Sequence, residues 1–189
     1  MITVEDFQKI RARLGAQAED DIQWSESVTA PSDAESFARE AIFVICNSGM
    51  KATVAQGIYQ RCMKALYAGS EVSDAFGHAG KVSAIERIWR EREALLQAYL
   101  TADDKLGFCA SLPWVGDITK YHLAKNLGAD VAKPDVHLQR LADREQTTVH
   151  ELCERLAHEV GLRVATVDTV LWRACACGVI NSRTGEICA

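Results

Sequence analysis

Apolar residues recur along nearly the whole chain at the three- and four-residue spacing of a helix face, and no run of alternating or β-branched residues offers a strand. That pattern makes an all-α fold the expectation. Helix starts are marked by capping boxes, in which a Ser or Thr side chain caps a backbone N–H and a carboxylate three residues on reaches back: Ser32 with Glu35, and Thr148 with Glu151. Gly69, Gly128, Gly161 and Gly178 fall where helices should stop. These marks predict helices near 4–14, 33–46, 51–67, 81–99, 117–127, 136–144, 149–160 and 163–177, with shorter ones near 71–76 and 103–110. Between the first two, GAQAEDDIQWSESVTAPS reads as an acidic connection, long for a compact domain and pinned by Ile22 and Trp24.

A chain of 189 residues, 48% of them hydrophobic, can bury a core in one or two compact domains. The start, MITVEDFQKI, lacks a basic stretch followed by an apolar run, and no window approaches the ~18–20 uncharged apolar residues of a membrane span. The expectation is a soluble protein with no membrane partner. Seven cysteines, mostly inside apolar helical patterns, do not form the framework of a secreted domain, which points to a reducing cytoplasm. Cys175 and Cys177 make only a CxC, so no metal site is expected and the thiols read as buried or half-buried.

The net charge of −5 argues against a bulk nucleic-acid binder, but the charge is segregated. Residues 1–40 hold 4 basic and 9 acidic side chains, whereas 105–144 hold 6 basic and 4 acidic. The segment with the positive balance contains LPWVGDIT, residues 112–119. Residues 103–127 read as helix, Pro-containing turn, helix, with Leu112 and Val115 as apolar anchors and Gly116 opening the second helix. Such a hairpin can point successive backbone N–H groups outward, an anion site suited to a DNA phosphate. Hairpins of this kind are also common as plain structure. Farther on, in GADVAKPDVHLQRLADR, Pro134 holds its neighbour extended and Asp135 sits at the N-cap of the next helix. A Pro-Asp pair at a helix start is ordinarily a structural cap; here it lies 19 residues after Gly116, beyond one helix that can turn the chain back towards the hairpin.

Together these motifs resemble the helix-hairpin-helix DNA glycosylases, in particular relatives of endonuclease III and the adenine glycosylases. Members carry an LPGVG-type hairpin, a helix, a loop and then an aspartate followed by a V/T-H-like pair and an Arg. The matching positions here are Leu112, Pro113, Val115, Gly116 and Thr119, then Asp135, Val136, His137 and Arg140. The match is specific over 112–144 and weaker over 37–177, where FAREAIFVICNSGMKATV looks like the family's apolar helix, loop and second helix. The resemblance implies two helical lobes, residues 34–133 and residues 1–33 with 134–189, and an active site in the cleft between them. It also implies double-stranded DNA with a damaged or modified base as partner, a monomer, and no cofactor beyond a monovalent cation at the hairpin. Asp135 takes the catalytic role, stabilising the oxocarbenium-like sugar or deprotonating the attacking water once the nucleotide is flipped out.

Three departures carry information. Family members with lyase activity place a lysine two residues after the last hairpin glycine; Ile118 stands there, so a monofunctional enzyme that uses water is expected. Lys120 should face away, while Tyr121 and His122 share the face of Ile118. The tail GVINSRTGEICA lacks the iron–sulfur cysteines. Trp114 replaces the first hairpin glycine, so the turn should use a conformation open to any L-residue, with the indole packed on a neighbouring helix. Phosphate contacts are assigned to residues 112–116, Ile118, Thr119, Lys120 and Lys133, with Lys105 and Lys125 as further candidates. Asn47, Ser48 and Met50 occupy the family's wedge loop, and Tyr121, His122 and His137 either line a base pocket or bond structurally. Two other readings stay open: a DNA-binding or sensing module without catalysis, and a purely structural helical protein.

Overall fold

The computed structural model describes residues 1–188, and every regular element among them is helical. Ten α-helices occur among the described residues: α1 Val4–Leu14, α2 Ala16–Ser27, α3 Ala34–Asn47, α4 Ala52–Ala68, α5 Ala79–Thr101, α6 Lys105–Ser111, α7 Thr119–Asn126, α8 Val136–Glu145, α9 Val149–Val160 and α10 Val164–Ala176. A 3₁₀ turn, Val72–Asp74, stands where a short helix over 71–76 is predicted. No helix among the described residues is long and apolar enough to cross a membrane. The chain divides into two compact units, Thr29–Gly128 and Met1–Val28 with Ala129–Ala189.

In the unit Thr29–Gly128, α3 is the central element and packs against α4, α5 and α7. Its buried face carries Phe37, Ala38, Ala41, Ile42, Val44, Ile45 and Cys46. Phe37, Tyr99 and Phe108 form an aromatic trio with centroids 5.6–6.3 Å apart. The hydroxyl of Tyr99 donates to the Leu127 carbonyl at 2.7 Å, and burial pushes that phenol up to about 12. The N-cap of α3 is Asp33, whose side chain accepts from the Ser36 amide, so the box expected at Ser32 and Glu35 is one residue out of place. Asp33 wins because its carboxylate serves both the amide and the hydroxyl of Ser36.

In the other unit, α10 is central and packs against α1, α2, α8 and α9. Its core joins Phe7 and Ile10 to Leu138, Leu141, Leu152, Leu156, Val167, Val170 and Leu171. The box at Thr148 and Glu151 forms as predicted, and a second opens α1 at Thr3 and Asp6. The expected connection over 15–32 is instead mostly helix. Gly15, at φ 58° and ψ −132°, ends α1 and starts α2. The buried face of α2 is Ala18, Asp21 and Ser25, too small and polar to register as an apolar stripe. Of the two expected anchors, Ile22 is partly buried against the core, whereas Trp24 is exposed. A polar tie adds to this: Arg173 of α10 binds Asp21 through both Nε and Nη2, at 2.7 and 3.0 Å.

Candidate nucleic-acid interface

The segment 112–119 lies between α6 and α7, which pack on each other. Leu112 and Val115 are buried as expected of anchors, and the Val115 amide donates to the Leu112 carbonyl at 3.2 Å, closing a tight turn around Pro113 and Trp114. Trp114 has φ 63°, the left-handed region, which overturns the expectation of a conformation open to any L-residue. The turn keeps the geometry a glycine would adopt. Tertiary packing holds it: the indole lies over Gly80 of α5, where a Cβ would come within 2.5 Å of Cζ2. It also meets the His78 ring edge-on, with centroids 4.8 Å apart. Even so, Trp114 stays 47% exposed.

The helix after the turn starts later than predicted. Asp117 and Ile118 form a turn, and α7 begins at Thr119, although the Gly116 carbonyl already accepts the Lys120 amide at 2.9 Å. Its N-cap is Ile118, which has no side chain able to cap. Consequently the amides of Gly116, Asp117, Ile118 and Thr119 meet no acceptor among the described residues. Gly116, Asp117 and Ile118 are exposed. Asp117, fully solvated, sits 3.9 Å from the Lys120 ammonium, and that ammonium also lies 5.5 Å from the Tyr121 ring centre. His122 stacks edge-on against Phe43. The Lys105 ammonium donates to the carbonyls of Tyr99 and Leu100. Lys125 lies in the last turn of α7.

The loop 47–50 follows α3. Asn47 turns its amide back to the Phe43 carbonyl at 2.9 Å, Gly49 has φ 71°, and the Met50 amide donates to Asn47. Lys81 in the first turn of α5, only 4% exposed, donates to the Ser48 carbonyl at 2.6 Å. Burial pushes its ammonium below the ordinary lysine value. The start of α5 therefore touches both the loop 47–50, through Lys81, and the hairpin, through His78 and Gly80. Sequence reasoning missed these three residues. The signal was faint: two glycines, Gly77 and Gly80, bracketing a helix start.

Asp135, in the other unit, is the N-cap of α8, with Oδ1 accepting from the amides of His137 and Leu138 at 2.9 and 3.0 Å. Oδ2 takes no hydrogen bond among the described residues. The segment before it is pinned to α10 at two points: Asp168 accepts the Lys133 amide at 2.8 Å, and Asp130 accepts the Ala165 amide at 2.9 Å. Asp168 was invisible as a positioning residue in the sequence. His137 pairs Nδ1 with the Ser182 hydroxyl at 3.0 Å. Burial, with the negative charge of Asp135 second, pushes the Cys175 thiol up to about 11, so it stays protonated. A cavity of about 490 Å³ in this unit, lined by Ile2, Ile10, Arg13, Leu141 and Arg144 among others, lies at the opposite end of α8, roughly 15 Å along the helix from Asp135.

Comparison with family models, with curated proteins and with solved structures gives no match in any of the three.

Proposed function

We propose that the protein is a monofunctional DNA glycosylase of helix-hairpin-helix type, which flips a damaged or modified base out of duplex DNA and hydrolyses its N-glycosidic bond. The observation that carries this reading is the run of four amides, Gly116 to Thr119, that meet no acceptor among the described residues and follow a left-handed turn whose sequence is LPWVG. Outward amides at an uncapped helix start bind an anion, and a DNA phosphate is the anion that the LPxVG pattern suggests. The Asp135 carboxylate supports the chemistry. One oxygen fixes its orientation by capping α8, and the other is left to face positive charge developing on the sugar or to take a proton from water. Ile118 supplies no amine, so no Schiff base forms at that position.

The double capping bond of Asp135 also favours a second reading, in which the residue is structural and the protein binds or senses DNA without cleaving it. One experiment separates the two. Wild type and Asp135→Asn are incubated with a panel of single-lesion duplexes, and free base and DNA retention are measured. Base release by the wild type, lost in a variant that still binds, supports the glycosylase. DNA binding without base release from any lesion supports the sensing module. An absence of salt-dependent binding to any duplex removes both. Borohydride trapping of an efficient covalent adduct would contradict the water mechanism.

A further inference from the structure

We propose that Trp114 and His78 form a stacking platform for an unstacked nucleobase, so that the hairpin grips an opened strand by its base as well as by its phosphate; the inference rests on the DNA-binding reading above. A turn that needed only the positive φ would be better served by glycine, which adopts it without the clash a β-carbon brings. Tryptophan held there against that preference, yet 47% exposed, is not a core residue. Its seat is nonetheless well defined. Gly80 is bare so that the indole can lie flush on α5, and His78 braces it edge-on at an interplanar angle of 84°. His78 is itself held: its Nδ1 accepts the Lys81 amide at 3.3 Å, and its ring lies 6.1 Å from the buried Phe76.

The exposed pair thus stands on a buried base of Phe76 and Lys81, whose ammonium lies 5.9 Å from the Phe76 ring centre. The same turn carries the amides from Gly116 onward that meet no acceptor among the described residues. A fixed aromatic surface beside a phosphate-binding backbone is the combination by which proteins hold single-stranded nucleic acid, each aromatic stacking on one base with little regard to its identity. The platform therefore favours DNA in which a base has already left the stack.

The test uses the full chain and fluorescein-labelled duplexes that are either fully paired or carry one unpaired, bulged nucleotide. Affinities are read by anisotropy and stacking by tryptophan emission. The expected result is a wild-type preference of about tenfold for the bulged duplex. Trp114→Gly, whose glycine accepts the left-handed turn, abolishes that preference, so that the bulged and paired duplexes bind equally. Trp114→Phe keeps part of it, His78→Ala reduces it, and the emission quenched on binding disappears with Trp114. Retention of the full preference by Trp114→Gly overturns the platform and leaves the DNA-binding reading standing. Failure of the wild type to bind either duplex overturns that reading itself, and the platform with it.

Discussion

The ammonium of Lys81 reaches 2.6 Å from the carbonyl oxygen of Ser48, tying the loop after α3 to the first turn of α5. Replacing Lys81 with Met leaves that carbonyl without its partner, at a cost of ~1–3 kcal/mol, offset in part because a desolvated charge is also removed. The effect on the loop is less ambiguous than the effect on the whole fold. Amide exchange at Met50, whose N–H donates to Asn47, should accelerate about tenfold or more, while α5 amides beyond the first turn change little. Equal protection in both proteins would mean that the loop holds its shape unaided.

Gly80→Ala sets two effects against each other. Alanine is favoured over glycine in a helix by ~1 kcal/mol, but its Cβ would occupy the seat of the Trp114 indole. The indole is half in solvent and can swing away, so the net stability change should stay within about 1 kcal/mol. Its emission should nevertheless shift to the red, and the shift should vanish in a Trp114→Phe background. An unshifted spectrum would show that the indole does not depend on the bare helix surface.

At Asp135 the capping and chemical roles are separable by choice of substitution. Alanine removes the acceptor for two amides and should lower stability by ~1 kcal/mol, a melting shift of roughly 2–4 °C for a chain of this size. Asparagine retains an acceptor oxygen and should melt within about a degree of the wild type. Base release, if Asp135 performs the chemistry, falls in both. Loss of activity that tracked stability alone would assign the residue to the cap.

Glu40 on α3 is half-buried, and burial raises its carboxyl above the usual range despite a bond from the Asn126 amide at 2.9 Å. Because the folded state holds this proton more tightly than the unfolded chain, its contribution is fully present below the ordinary carboxylate value. That contribution is lost as pH rises through the raised folded value. Glu40→Gln mimics the protonated form and can still accept from Asn126. Thermal melts should find it more stable than wild type at pH 7, with the difference closing near pH 4. A variant less stable at pH 7 would show that the charge itself is favourable there.

The helices whose partners are apolar were legible. α9 announces itself through Thr148, Glu151 and the spacing of Val149, Leu152, Cys153 and Leu156, all buried. α2 was not, because its buried positions are Ala18, Asp21 and Ser25 and the partner of Asp21 is Arg173, 152 residues away in sequence. The candidate site divides in the same way. Leu112, Val115 and the cap at Asp135 follow from local rules. The left-handed backbone of Trp114 follows from Gly80 and His78, more than thirty residues earlier, and no local rule connects them. Lys81 belongs to a helix of mixed charge whose other basic residues are not buried, so composition gave no reason to single it out.

The unit built on α10 is closed by ties between distant parts of the chain. The Ile2 amide donates to Glu145 and its carbonyl accepts from Arg155, across 143 and 153 residues. During synthesis, α1 and α2 leave the ribosome with Phe7 and Ile10 uncovered, and the intervening segment Thr29–Gly128 must be made before α8 to α10 arrive to bury them. At ~5–20 residues per second that interval is on the order of 5–20 s. The contiguous segment has time to condense around α3 while the first two helices wait as an adhesive amphipathic pair. A ribosome stalled just after Gly128 has cleared its exit tunnel would present one finished body and one orphaned hairpin, the species on which a holding chaperone would act.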